Sequence, residues 1–194
     1  ISTTSFFPAK PLGCYGDGGA VFTDDDQLAA LLESFRIHGK GTMKYDNVRI
    51  GVNSRLDTIQ AAILQVKLRA FREYELDKVN RAAAKYTELL KDTVKTPVIP
   101  AGYYSSWAQY TIQLDSREQR DSLQAALKEQ GIPSMIYYPK PMHRQQAFAD
   151  LNCSDGEYGN TIKLCDTVLS LPMHPYLEDS DVEKVAAALC RCMQ

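Results

Sequence analysis

The run Thr96-Pro97-Val98-Ile99-Pro100-Ala101-Gly102 divides the chain into two stretches with different hydrophobic periods. Prolines and a glycine this close together interrupt any regular element, so a boundary between residues 95 and 96 is expected. Before it, Ile1 to Phe7 and Ala20 to Thr23 read as strands around the turn Gly16-Asp17-Gly18-Gly19. Asp24 is a candidate N-cap for a helix with the stripe Leu28, Leu31, Leu32 and Phe35, closed by Gly39. Gly39 to Asn53 is polar, carries three glycines and reads as a loop. Ser54-x-x-Asp57 has the form of an acidic capping box, and a helical pattern follows to about Asp92. Its length predicts two helices, the first marked by Ile59, Ile63, Val66 and Ala70, the second by Leu76, Val79, Ala83, Tyr86 and Leu90.

Beyond the boundary, strands and helices alternate. Ala108, Tyr110, Ile112 and Leu114 occupy every second position, which predicts a strand with one buried face. Ser116 and Gln119 form a capping box for a helix ending at Gly131. Pro133 to Tyr138 is expected as a short strand, Tyr103 to Trp107 as an aromatic one, and Asp179 to Met193 as a capped helix turning Val182, Val185, Ala186 and Leu189 inward. The result is an α/β chain in two parts, residues 1–95 and 96–194.

Composition narrows the function classes. The chain is 44% apolar and 24% charged with a net charge of −2, which gives no electrostatic reason to expect nucleic acid or an anionic membrane as partner. No apolar run has the length of a membrane span. The five cysteines lack a Cys-x-x-Cys pair, and Cys190 and Cys192 would point about 200° apart on a helix. Three scattered histidines make no metal site. Reduced thiols and a cytoplasmic location fit this pattern.

One residue carries candidate chemistry. Lys10 lies between the first strand and the glycine-rich turn. It is either a solvated surface lysine or an amine held at a strand end, where its neighbours make it a nucleophile toward a carbonyl. Ser5 is either a strand-end hydroxyl bonded to water or a donor to an anion, and Asn53 either caps its own loop or donates its amide. Arg55, near a helix start and so poorly placed in the helix dipole, suits a bidentate carboxylate partner. The prolines of Tyr137-Tyr138-Pro139-Lys140-Pro141-Met142-His143 stiffen a loop into a platform for binding residues.

The stretch Ser5-Phe6-Phe7-Pro8-Ala9-Lys10-Pro11-Leu12-Gly13-Cys14-Tyr15-Gly16-Asp17-Gly18-Gly19-Ala20 closely resembles the cofactor-lysine motif of the DegT/DnrJ/EryC1/StrS family of sugar aminotransferases, which use pyridoxal phosphate. Arg36-Ile37-His38-Gly39, Gly51-Val52-Asn53-Ser54-Arg55-Leu56-Asp57 with Gln60-Ala61-Ala62, the Tyr137–His143 run and Leu169-Ser170-Leu171-Pro172-Met173-His174-Pro175 resemble further family elements in the family's order. Within the family, the motif is most like the UDP-2-acetamido-2-deoxy-3-oxo-glucuronate aminotransferases. Family members are roughly twice this length, so the resemblance identifies the chain as a C-terminal half.

The resemblance implies an aspartate aminotransferase-like fold of type I: the end of the large cofactor-binding domain, then the small C-terminal α/β domain. It makes Lys10 the catalytic residue and covalent anchor of pyridoxal 5'-phosphate, with Ser5 and Asn53 as phosphate ligands, Asn53 reaching across a homodimer with shared active sites. Arg55, Tyr138, His143 and His38 become candidate substrate contacts, whereas His174 is read as structural. The implied reaction moves the amino group of L-glutamate, which leaves as 2-oxoglutarate, to a UDP-linked 3-keto uronic acid destined for bacterial surface polysaccharide. Three alternatives stay open: a 3- or 4-aminotransferase for a neutral keto-deoxysugar, a sugar dehydratase, against which Lys10 speaks, and a non-catalytic sugar-nucleotide-binding relative.

Overall fold

The computed structural model describes residues 1–193, which form two compact units, Ile1–Tyr74 and a second from Glu75 onward. In the first, β1 (Ser2–Ser5) and β2 (Gly19–Phe22) pair antiparallel, Ser2 opposite Phe22 and Ser5 opposite Gly19. The connection is drawn tight by its backbone: Phe6 N–H donates to Gly18 O and Cys14 N–H to Phe6 O, each at 2.8 Å. The buried Cys14 thiol donates to the carbonyls of Phe6 and Gly16.

Helix α1 (Asp26–Arg36) starts one residue later than the sequence suggests, because the carboxylate of Asp25, not that of Asp24, accepts from Gln27 N and Leu28 N. At its end Gly39 takes φ +72°, and the following loop returns along the helix terminus. Val52 N–H donates to Phe35 O at 2.8 Å and Ser54 N–H to Arg36 O at 2.9 Å. Ser54 therefore belongs to the loop, and the expected Ser54–Asp57 capping box does not form; α2 (Thr58–Ala70) has Asp57 at its N-cap without a side-chain bond. The break foreseen in the long helical pattern is a π-turn, Phe71–Glu75, leading into α3 (Leu76–Leu90).

The second unit adds β3 (Tyr110–Gln113), α4 (Arg117–Glu129), α5 (Gly159–Thr167), β4 (Val168–Leu171) and α6 (Asp179–Cys192). Strands β3 and β4 are antiparallel, Tyr110 opposite Leu171 and Gln113 opposite Val168. Tyr86 and Leu90 of α3, Tyr110 and Ile112 of β3, Leu127 of α4 and Leu189 of α6 are wholly buried in one core. Each such side chain contributes about 1.5–3 kcal/mol by leaving water. Tyr86 also stacks on Tyr110 with ring centres 5.0 Å apart. Because α3 shares this core, and Lys85 pairs with Asp179 and Glu183 of α6, the division between compact units falls at Tyr74–Glu75. The Thr96–Gly102 punctuation is a loop inside the second unit.

Two expected strands are absent. Pro133 to Tyr138 makes a single bridge, Met135 to Ser170, since a proline supplies no ladder N–H. Tyr103 to Trp107 is irregular, with Gly102 at φ +83° and Trp107 at φ +47°; Tyr103 and Tyr104 are exposed, and only Trp107 packs on the core. No described helix is long and apolar enough to cross a membrane.

Candidate active site

Lys10 sits at the outer part of the turn between β1 and β2, where its N–H donates to Phe7 O at 2.8 Å. Its side chain is exposed, and its amine has no hydrogen-bond or ion-pair partner among the described residues. Ser5, last residue of β1, accepts a hydrogen bond from Phe7 N–H at 3.2 Å, which leaves its hydroxyl proton to donate elsewhere. Close glycine packing shapes this turn: a Cβ on Gly13 would lie 2.8 Å from the carbonyls of Phe7 and Pro8. Gln60 of α2 holds the turn from outside, its Oε1 accepting from Tyr15 N–H at 2.8 Å. A cleft of about 980 Å³ lies elsewhere in this unit, between Ala20 and Phe22 of the hairpin, Leu32 and Phe35 of α1, and Leu56.

Asn53 and Arg55 are brought into direct contact. Asn53 bridges to Ile37, and Arg55 Nε donates to Asn53 Oδ1 at 2.9 Å. With the amide oxygen occupied, the Asn53 NH2 is the group left to donate outward. His38 acts mainly through its backbone. At φ +60° its N–H donates to Val52 O and its carbonyl accepts from Asn47 Nδ2 at 2.7 Å, while its ring is exposed.

The second unit carries Tyr138 and His143, which differ sharply in environment. Tyr138 is exposed, its ring edge-on to Tyr137. The His143 side chain is only 6% exposed, stacks on Tyr158 at 4.4 Å, and places Nε2 3.1 Å from Asp155 Oδ1. Arg144 forks onto the same carboxylate through Nε at 2.9 Å and NH2 at 2.7 Å. That guanidinium, and next the His143 ring, hold the Asp155 carboxyl down at about 2. The Cys153 thiol beside the Tyr158 hydroxyl pushes that phenol up. His174 serves the backbone, its Nδ1 accepting from Tyr176 N–H at 3.2 Å. Asp155 escaped sequence reading because nothing local marks an aspartate in a loop as the partner of side chains eleven and twelve residues earlier.

The arrangement is the α/β fold of the type I pyridoxal-phosphate transferases. A crystal structure of a DegT DnrJ EryC1 StrS aminotransferase from Brucella abortus aligns with TM-score 0.92 and 51% identity, over 98% of this chain and 50% of that one. The chain belongs to the DegT/DnrJ/EryC1/StrS aminotransferase family, whose profile matches residues 1–190. It is 46% identical over 190 residues to a UDP-2-acetamido-2-deoxy-3-oxo-D-glucuronate aminotransferase of Pseudomonas aeruginosa, covering 97% of this chain and 51% of that protein. It is 40% identical over 197 residues to a UDP-N-acetyl-3-dehydro-alpha-D-glucosamine 3-aminotransferase of Acidithiobacillus ferrooxidans, covering all of this chain (100%) and 51% of that one. The chain thus spans about half the length of the curated relatives it matches.

Proposed function

We propose that the intact protein is a pyridoxal 5'-phosphate-dependent aminotransferase that moves the amino group of L-glutamate to a UDP-linked 3-keto uronic acid. The observation that carries this reading is the Lys10 amine, without a partner among the described residues, on a turn held through its backbone, in a unit that also presents the Ser5 hydroxyl and the Asn53 amide. An amine, a hydroxyl and an amide suit an aldehyde bearing a phosphate. The cofactor, when bound, supplies an electron sink for the substrate's reacting carbon.

The remaining work belongs to side chains of this protein. Lys10 anchors the cofactor covalently through Nζ and, once displaced, carries a proton to and from the reacting carbon. Ser5 Oγ donates its free proton to the phosphate. Asn53 Nδ2 donates to the same group in the neighbouring subunit of a homodimer, so that two chains complete each site. The Arg55 N–H groups not used on Asn53 receive a carboxylate, from the sugar acid or from glutamate. Tyr138 and His38, both exposed, border the sugar nucleotide, and His143 contributes through the Tyr137–His143 loop. The similarity to the Pseudomonas aeruginosa enzyme supports the uronic acid; a cytoplasmic step of lipopolysaccharide O-antigen synthesis is part of the same proposal. Borohydride reduction of the cofactor-loaded protein, followed by peptide mapping, tests the assignment. The label is expected on Lys10 alone, and a label on Lys44 or Lys140 overturns it.

A further inference from the structure

The segment joining α4 to α5 contains Tyr138 and His143, yet between residues 133 and 158 only Pro141 is buried. Its regular structure is limited to three short 3₁₀ turns, Met142–Arg144, Gln146–Leu151 and Asp155–Tyr158. Apart from Ile136, which packs against the core, apolar packing sets little of this loop, and from Tyr137 onward its order comes mainly from polar contacts. Those contacts converge on one side chain. Both Asp155 oxygens are used: Oδ2 by Arg144 NH2, Oδ1 by Arg144 Nε and His143 Nε2. The imidazole is fixed a second time by the Tyr158 ring, stacked within 20° of parallel. One carboxylate thus ties the first 3₁₀ turn to the last.

The tie reaches back to Tyr138 through a short, stiff path. Arg144 N–H donates to Pro141 O at 3.1 Å, and Pro139 and Pro141 leave few backbone torsions between that turn and Tyr138. His143, with its ring covered and Nε2 engaged, has only Nδ1 left for another partner, so it is a pillar of the loop more than a face of it.

We propose that Asp155 is a positioning residue for the nucleotide sugar, holding the Tyr138 loop in its binding shape through Arg144 and His143. The inference rests on the reading above that this loop borders the sugar nucleotide. On this reading the two half-reactions respond differently, because glutamate lacks the sugar and nucleotide groups that the loop would border.

The test uses the intact, cofactor-loaded enzyme and its variants Asp155→Asn, Asp155→Glu and Tyr138→Ala. KM and kcat are measured for the UDP-ketosugar, the glutamate half-reaction is followed alone by cofactor absorbance, and loop order is read by limited proteolysis within residues 142–158. Asp155→Asn removes the charge from a bidentate contact and is expected to raise the sugar KM about tenfold while the glutamate half-reaction stays within about twofold. Cleavage in the loop should quicken, and Asp155→Glu, which keeps the charge, should recover most of the sugar KM. An unchanged or lowered sugar KM in Asp155→Asn overturns the proposal, and so does an equal loss in both half-reactions, the mark of a general structural role. If Tyr138→Ala leaves the sugar KM unmoved, the sugar-facing reading of the loop fails instead, and proteolysis still reports whether Asp155 holds it.

Discussion

Replacing Gly51 by alanine should damage the candidate site from a position that offers no side chain of its own. The new Cβ would lie 2.2 Å from Gly39 N, 2.6 Å from Phe35 O and 2.7 Å from His38 C, all backbone atoms. Carbon in ordinary contact needs roughly 3.5 Å, so the loop must move off the end of α1 by about an ångström. That shift breaks or strains Val52 N–H to Phe35 O and His38 N–H to Val52 O, bonds of 2.8 and 2.9 Å. Two such bonds at about 1 kcal/mol each, or an overpacking penalty of 1–3 kcal/mol, give an expected loss of ~2–3 kcal/mol. For a protein of this size that lowers the melting temperature by roughly 4–12 °C, and by a few degrees in one about twice as long. Because the same bonds carry Asn53, cofactor affinity measured by absorbance titration should fall with stability. Gly159→Ala is the control: nothing lies within 4 Å of its added Cβ at the start of α5, so its melting temperature should hold or rise slightly. A Gly51→Ala protein that melts within about a degree of wild type and binds cofactor unchanged refutes the reasoning.

Tyr86→Phe should cost about 1–2 kcal/mol in urea unfolding with an unchanged slope, since it strips the Pro172 carbonyl of the buried hydroxyl that donates to it at 3.1 Å. An equal stability of the two proteins would mean that water reaches that carbonyl. For Asp155, the carboxyl sits at about 2 in the folded protein, below its ordinary value near 3.9, held there by Arg144 and then His143. Its contribution is therefore full above the ordinary carboxyl pKa and fades as pH falls through about 2. A carbon-13 titration of the Asp155 carboxyl should show its midpoint there, and an ordinary midpoint would mean that the fork does not persist in solution.

Helix faces and alternating strands were legible in the sequence because each repeats a local rule. Tyr110, Ile112 and Leu114 are buried as their spacing requires, and Val182, Val185, Ala186 and Leu189 face inward from α6. Elements set by remote partners were not legible. Strand β4 is buried on both faces, so it shows no alternation, and its one polar side chain, Ser170, is satisfied by Thr111 at 2.8 Å. Ser54 resembles a cap until the Arg36 carbonyl claims its N–H. At the site, motif resemblance singled out Ser5, Lys10, Asn53 and Arg55, but the hydrogen bond from Arg55 to Asn53 depends on side-chain directions that no motif spells out. Asp155 shows the same limit over a longer distance.

The apolar burial of the two units is very uneven. Among the described residues, Cys14 and Leu64 are the apolar side chains buried between Ile1 and Tyr74, while the unit from Glu75 onward holds the large shared core. Every residue of β1 is exposed, and Val21 and Phe22 of β2 are open to solvent as well. Lys10 is therefore carried by the unit that buries the fewest apolar side chains within this chain. Any surface or small molecule that covers this segment adds its binding energy to the segment's stability, by mass action. Concentration thereby becomes a control on the site: the more of a covering partner is present, the larger the share of molecules in which Lys10, Ser5 and Asn53 are held in place.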